Sequence, residues 1–176
     1  ENIAARANAE GIETVCDFFN AAAAEKLRAK HGPARLFLAR HVLAHVADLR
    51  GFVKGISMVL DRDGIAAVEM PYLLPFYDKL EYDTVYHEHL CYFSMRVLKM
   101  LFERFGMELV NVDEAPIHGG SIIVSAQIQG GPCKVAPVVG RMLANEESKG
   151  LNRIEPWLDF AARVEQSKAA LLAELE

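Results

Sequence analysis

The sequence predicts an α/β protein built on a mainly parallel sheet. Through the first hundred residues, short apolar runs alternate with segments of helical periodicity, the order typical of parallel strands joined by crossover helices. Residues 107–129 then form two runs of alternating apolar and polar residues around a turn, which predicts an antiparallel hairpin. Helical patterns follow. We therefore expect an α/β domain over residues 1–130 and a C-terminal helical segment over residues 131–176.

The first elements are set by short local signals. Residues 2–10 predict a helix, and residues 13–19 (ETVCDFF) predict a strand. Asn20 is placed to cap the alanine-rich helix that follows, and Gly32 is placed to end it.

The next strand and helix are the most regular part of the pattern. Residues 35–39 (RLFLA) form a compact apolar run, which favours a central strand buried on both faces. Asp48 is placed to cap an amphipathic helix with apolar residues at positions i, i+3, i+4 and i+7. The sequence DRDG at 61–64 predicts a turn, and residues 65–70 predict a second buried strand.

The second half of the chain predicts one more helix before the hairpin. Ser94 is placed to cap it, and we expect its inward face to carry Val97, Leu98, Leu101, Phe102 and Phe105. The hairpin strands are expected at 107–113 and 121–129. Two helices are expected after the hairpin, the second opened by Pro156 in its first turn.

Composition and charge limit the classes of partner that we expect for this chain. The 176 residues are 52% apolar and 24% charged, which is ordinary for one soluble globular domain. The net charge of −5 comes without a basic stripe, so nucleic acid is not an expected partner. No run approaches the roughly 18 apolar residues of a membrane span, so no membrane partner is expected either.

The cysteines indicate a reducing compartment. Cys16, Cys91 and Cys133 are odd in number and far apart, which fits neither a disulfide framework nor the paired spacing of a structural zinc site. No signal-peptide pattern is visible. We therefore expect a cytoplasmic location.

Residues 82–94 (YDTVYHEHLCYFS) are the strongest candidate for a functional site. They follow the strand 65–70 and so lie at the carboxyl edge of the sheet, where open α/β sheets bind ligands. His45 follows the strand 35–39 and is expected at the same edge, one strand over.

Three interpretations of this stretch remain open on its residues alone. His87 and His89 point to one side of an extended segment, so they and His45 or Glu88 are conceivable zinc ligands, although no thiol or carboxylate has a familiar ligand spacing. A histidine beside a carboxylate is better suited to proton abstraction. In the third interpretation, an imidazole only hydrogen-bonds a neighbouring carbonyl. We favour acid/base chemistry and expect no metal.

Four sequence blocks carry a resemblance to a known family. They are ARHVLAHVADLRGF, VEMPYLL, YDTVYHEHLCYFS and APIHGGSIIV, in this order. With them the chain resembles the S-adenosylmethionine-dependent C-methyltransferases that act on nucleotide-linked keto-deoxysugars. The resemblance implies the Rossmann-like class I methyltransferase sheet, in which parallel strands end in an antiparallel hairpin. It also implies S-adenosylmethionine as cofactor and a nucleotide-linked keto sugar as substrate.

The resemblance implies catalytic residues and cofactor-binding residues. His89 matches the general base that removes a proton beside the ketone. The groups that assist it fall on Tyr86, Glu88 and His45. The adenine side of the cofactor site falls on Asp17, Phe18, Phe19, Arg40 and His41. Apart from the resemblance, His118, Gly119 and Gly120 form a tight turn whose backbone amides are candidates to bind the phosphate or sugar of the acceptor, although a simple hairpin turn explains these glycines equally well.

The chain departs from the family pattern at its ends. The glycine-rich loop after a first strand, the acidic residue after a second, and the family's zinc-binding N-terminal module have no match in it. We therefore expect a sheet incomplete at the N-terminus, with unsatisfied strand edges that favour a homo-oligomer. The alternative function is a non-catalytic α/β module that binds no cofactor.

Overall fold

The computed structural model describes residues 2–175. The helices are α1 (Asn2–Ala9), α2 (Ala21–His31), α3 (Leu49–Val59), α4 (Leu73–Lys79), α5 (Met95–Glu103), α6 (Pro137–Lys149) and α7 (Glu155–Leu175). The strands are β1 (Ala34–Arg40), β2 (Leu60–Pro71), β3 (Met107–Ala115) and β4 (Ser121–Ile128). Short 3₁₀ turns lie at Leu43–His45 and Tyr82–Thr84.

The four strands form one open sheet in the order β1-β2-β4-β3. β1 and β2 are parallel, and β4 pairs antiparallel with both β2 and β3. This arrangement confirms the predicted α/β class and the hairpin that ends the parallel strands. The core lies where α3 packs against β2 and α5 packs against β3.

The predicted helix caps are confirmed. The side chains of Asn20, Asp48 and Ser94 each accept a hydrogen bond from a backbone N–H in the first turn of α2, α3 and α5. One inward position was wrong, because Val97 is exposed. α5 begins at Met95, which is itself buried, and the spacing of Met95, Leu98 and Phe102 turns Val97 away from the sheet.

The strand predicted at 13–19 does not form. This segment has no regular secondary structure, and the side chain of Val15 is exposed. A strand exists only when another strand satisfies its backbone groups, and among residues 2–175 none lies beside this segment. Only Phe19 enters the interior, where its ring centroid lies 5.0 Å from that of Phe37 on β1.

β1 is an edge strand rather than a central one, within the part of the chain that the structure describes. Leu36 and Leu38 are 58% and 63% exposed, whereas Ala39 on the opposite face is buried. The apolar run correctly indicated a strand with two apolar faces. It could not show that only one face is covered.

The predicted turn at 61–64 is also wrong. β2 already begins at Leu60, and these residues form an irregularity within it, since Ala34 pairs with Leu60 and Leu36 pairs with Ile65. Gly64 fits here because a Cβ on it would lie 2.5 Å from the carbonyl oxygen of Ala34. The glycine therefore permits the close approach of two strands.

The C-terminal segment folds as predicted into two helices, with Pro156 in the first turn of the second. α6 packs Val139 and Met142 into the same core as the sheet. Among the helices described here, none has the length and hydropathy that crossing a bilayer requires.

Candidate active site

A cleft of about 440 Å³ lies beside the carboxyl end of β2. Its walls include Tyr72 at the end of β2, Tyr86 and His89 from the loop before α5, and His118 and Gly119 from the β3–β4 turn. The structure therefore brings predicted catalytic and substrate-binding residues to one cavity. Volumes of this size suit a small-molecule ligand.

The proton positions on His89 follow from its two hydrogen bonds. Its Nδ1 lies 3.0 Å from the carbonyl oxygen of Thr84, which can only accept, so Nδ1 carries the hydrogen. Nε2 of the neutral ring then holds a lone pair, and the Tyr86 hydroxyl donates to it at 2.9 Å. His89 thus has a basic nitrogen beside a phenol at the cleft wall.

The Thr84 carbonyl is fixed by a second donor. The Tyr92 hydroxyl donates to it at 3.1 Å. Burial raises the pKa of Tyr92, so this hydroxyl keeps its proton and remains a donor. No pattern in the sequence indicates the role of Thr84, because any residue supplies a backbone carbonyl and only the fold selects one.

His45 lies next to His89, with 5.0 Å between the ring centroids. Its Nδ1 donates to the backbone carbonyl of Glu88 at 2.8 Å. The amides of Leu90 and Cys91 both donate to the carbonyl of Ala44, so the loop is tied to the 3₁₀ turn that carries His45. The predicted meeting of this histidine with the loop is present.

Glu88 contacts this site through its backbone. Its carboxylate is exposed and lies 4.0 Å from Nε2 of His87, while its carbonyl oxygen receives the bond from His45. His87 is 91% exposed. Among residues 2–175, no group of three or more His, Cys, Asp or Glu side chains is arranged to hold a metal ion.

The predicted cofactor-binding residues at 17–19 differ in their exposure to solvent. Phe18 is 88% exposed, and the carboxylate of Asp17 accepts from the Phe18 amide at 2.8 Å. Phe19 instead packs between the rings of Phe37 and Phe52. Phe18 and Asp17 are exposed to solvent, whereas the Phe19 ring is partly buried against the core.

Arg40 and His41 converge on a carboxylate that the sequence analysis did not single out. Glu69 on β2 is only 2% exposed. One of its oxygens accepts from Arg40 Nε at 2.5 Å, and the other lies 3.1 Å from His41 Nε2. The hydrogen bond from Arg40 lowers the pKa of Glu69 despite the opposing effect of burial.

The β3–β4 turn requires its glycines for steric reasons. Gly119 and Gly120 have φ values of +78° and +153°. A Cβ on Gly119 would lie 2.3 Å from the Glu81 carboxylate, and one on Gly120 would lie 2.7 Å from the Pro75 side chain. The Gly120 amide is already bonded to the carbonyl of Ile117. The turn itself therefore accounts for both glycines.

The ion pair of Glu69 predicts a pH dependence of stability. Because its folded-state pKa lies below the ordinary value of 4.5, its contribution is fully present above that value and is lost as the pH falls through the folded-state pKa. Glu69→Gln and Arg40→Met are each expected to flatten the acid limb of the stability curve. Urea unfolding between about pH 3 and 6 measures this, and parallel curves would contradict it.

A family model described as a methyltransferase domain matches residues 3–112. The chain belongs to the methyltransferase domain family. A second family model, described as a C-methyltransferase C-terminal domain, matches residues 116–176 of the chain. These matches confirm the prediction of a methyltransferase.

Similar proteins are known in full length and in structure. The C-methyltransferase NovU of Streptomyces niveus is 39% identical over 170 residues, which is 97% of this chain and 40% of NovU. The chain thus spans less than half of that relative. An S-adenosylmethionine-dependent methyltransferase from Anabaena variabilis covers 69% of this chain and 64% of its own, at 13% identity and a TM-score of 0.48. An O-methyltransferase family protein from Burkholderia thailandensis covers 73% and 41%, at 13% identity and a TM-score of 0.46.

Proposed function

We propose that this methyltransferase domain protein methylates a carbon next to a ketone of a nucleotide-linked deoxysugar, through an enolate formed by His89. The observation that carries the proposal is the His89 ring, whose Nε2 is left as a base by the Thr84 carbonyl and lies at a cleft wall. The match to a C-methyltransferase domain and the similarity to NovU support carbon as the methylated atom.

The chain's own residues account for the proton transfer. His89 Nε2 takes the proton from the carbon beside the ketone, and the C–H electron pair becomes the enolate. The Tyr86 hydroxyl, which occupies Nε2 before the substrate arrives, turns to the ketone oxygen and stabilises the developing negative charge. The enolate carbon would then form a bond to the methyl group of the bound donor while the bond from that methyl group to sulfur breaks and leaves its electron pair on the sulfur, and the imidazolium of His89 would return its proton to water.

S-adenosylmethionine is the methyl donor that this family implies, and when bound it supplies an electrophilic methyl group on sulfur. Phe18 and Asp17 suit its adenine, since one offers an open aromatic face and the other a carboxylate acceptor. The contact between Phe19 and Phe37 keeps this segment beside β1, whose end carries Arg40 and His41.

The test is a labelling experiment on the complete natural polypeptide that carries this sequence. It is incubated with S-adenosylmethionine labelled with ¹³C in the methyl group and with a set of nucleotide-linked keto sugars. We expect a new carbon-bound ¹³C methyl group in the product NMR spectrum. Label on oxygen or nitrogen, or no transfer to any acceptor, would overturn the proposal. Calorimetry with S-adenosylhomocysteine tests the alternative of a non-catalytic module, which predicts no binding.

The outer edge of β1 supports a proposal of self-association. Leu36 and Leu38 expose apolar surface beside backbone groups that no strand among residues 2–175 pairs. The double substitution Leu36→Lys and Leu38→Lys is therefore expected to lower the molar mass that light scattering measures for assemblies of this chain. Val97→Lys, at another exposed apolar residue, is the control and is expected to change nothing. A monomer before substitution would contradict the proposal.

We also propose a cytoplasmic location. Cys16, Cys91 and Cys133 are free, and two of them are exposed. Exposed thiols suit a reducing compartment. Fractionation of the producing cells tests this, and recovery of the protein outside the cytoplasm would overturn it.

A further inference from the structure

Glu69 is a buried charged group that the proposed proton transfer does not use. It lies near the carboxyl end of β2, where it is paired in register with Arg40 on β1 and with Ile123 on β4. It therefore stands between the strand that carries the predicted cofactor residues and the hairpin that carries the predicted substrate turn. Buried carboxylates are rare unless they are paired and hydrogen-bonded.

The hydrogen-bonding capacity of each partner fixes the state of His41. An ionised carboxylate can only accept, and the Arg40 guanidinium can only donate. His41 Nε2 must therefore donate to Glu69, which leaves the lone pair of the neutral ring on Nδ1. Glu69 thus selects one tautomer and one orientation of the His41 ring, as carboxylates do for functional histidines elsewhere.

The His41 ring in turn packs edge-to-face on His118, with 4.5 Å between the centroids. Both histidines have positive φ, at +52° and +51°, which is uncommon for residues with a side chain. Such conformations persist only where the surroundings enforce them, and they cluster at functional sites. His118 lines the same cleft as His89.

We propose that Glu69 and His41 are positioning residues that hold the His118 imidazole at the wall of the catalytic cleft, where it contacts an oxygen of the acceptor substrate. The inference rests on the proposed function, because it assigns the acceptor to this cleft. It adds a residue, Glu69, and a route of contacts from the end of β1 to the substrate turn. In this arrangement His118 binds the acceptor while His89 performs the proton transfer.

The first experiment observes the contacts without substrate, by ¹⁵N NMR of the histidine rings in the complete natural polypeptide. In the neutral state His41 is expected to carry its hydrogen on Nε2. Glu69→Gln and His41→Asn are each expected to shift the His118 ring signals. Glu114→Gln, an exposed carboxylate on β3, is the matched control and is expected to leave them in place. An Nδ1–H tautomer of His41, or unmoved His118 signals, would overturn the proposal.

The second experiment separates binding from chemistry. Glu69→Gln and His41→Asn are each expected to raise the KM of the acceptor about tenfold, with kcat changed less than about threefold. In a His118→Asn background, Glu69→Gln is expected to have no further effect, because the residue through which it acts is gone. Multiplying effects in the double variant, or a rise only in the donor KM, would overturn the proposal. His41→Asn keeps the test decisive if Glu69→Gln does not fold.

The two proposals fail in different ways. If the unsubstituted protein methylates no acceptor, the proposed function falls, and the NMR experiment alone decides whether Glu69 holds His118 through His41. If methylation proceeds normally in Glu69→Gln, His41→Asn and His118→Asn, the proposed function stands and the positioning role falls.

Discussion

Replacing His89 by asparagine is expected to abolish solvent deuterium exchange at the carbon beside the ketone. Methyl transfer should fall by about 10²–10⁴-fold, the usual contribution of a positioned general base. The asparagine amide can still donate to the Thr84 carbonyl, so the loop keeps its anchor. It has no basic nitrogen to replace Nε2. NMR of the recovered acceptor in D₂O measures the exchange, and rapid-quench assays measure the transfer.

The matched control for this experiment lies two residues away. His87→Asn makes the same chemical change at a ring that is exposed to solvent, so exchange and transfer are expected to stay within about twofold. Exchange that survives in His89→Asn would contradict the assignment of the base. If it were lost instead in His45→Asn, the neighbouring imidazole would be the base.

The parts of the fold that the sequence predicted correctly depend on neighbours along the chain. A cap needs only a side-chain oxygen and an N–H two or three residues later, which is why Asn20, Asp48 and Ser94 were recognisable. The hairpin is equally local, because its turn lies between two alternating runs.

Two of the errors concern strands, which depend on distant partners. Residues 13–19 and β1 have the composition of buried strands, yet the first is unpaired and the second lies at an edge. Apolar composition shows what a segment can bury. Composition carries no information on which other segment lies beside a given one. It therefore could not predict the pairing of residues 13–19 or the edge position of β1.

The candidate site shows the same division. The side chains of Tyr86, His89 and His45 were found because imidazole and phenol groups in one short stretch are unusual, and the structure brings them together. Thr84 acts through its carbonyl, and Glu69 is one charge in an apolar run. Neither role is marked by a sequence pattern, because the groups that Thr84 and Glu69 contact become their neighbours only in the folded protein.

Replacing Glu146 by alanine is expected to destabilise the fold by about 2–4 kcal/mol. Glu146 lies on α6, is only 5% exposed, and accepts from the amides of Met95 and Arg96 at 2.5 and 3.1 Å. It therefore satisfies the first amides of α5 from another element and places negative charge at the positive end of that helix. Without it, two amides at a buried helix end lose a charged acceptor.

This substitution also tests the proposed division of the chain at residue 130. An independent C-terminal segment would lose α6 contacts without affecting the sheet domain, whereas the bonds from Glu146 to α5 predict one cooperative unfolding transition for both. Urea unfolding followed by far-UV circular dichroism and by Trp157 fluorescence compares the two parts. Glu147→Ala, the exposed neighbour, should change stability by less than about 0.5 kcal/mol. An equally small effect of Glu146→Ala would show that Ser94 alone secures this end of α5.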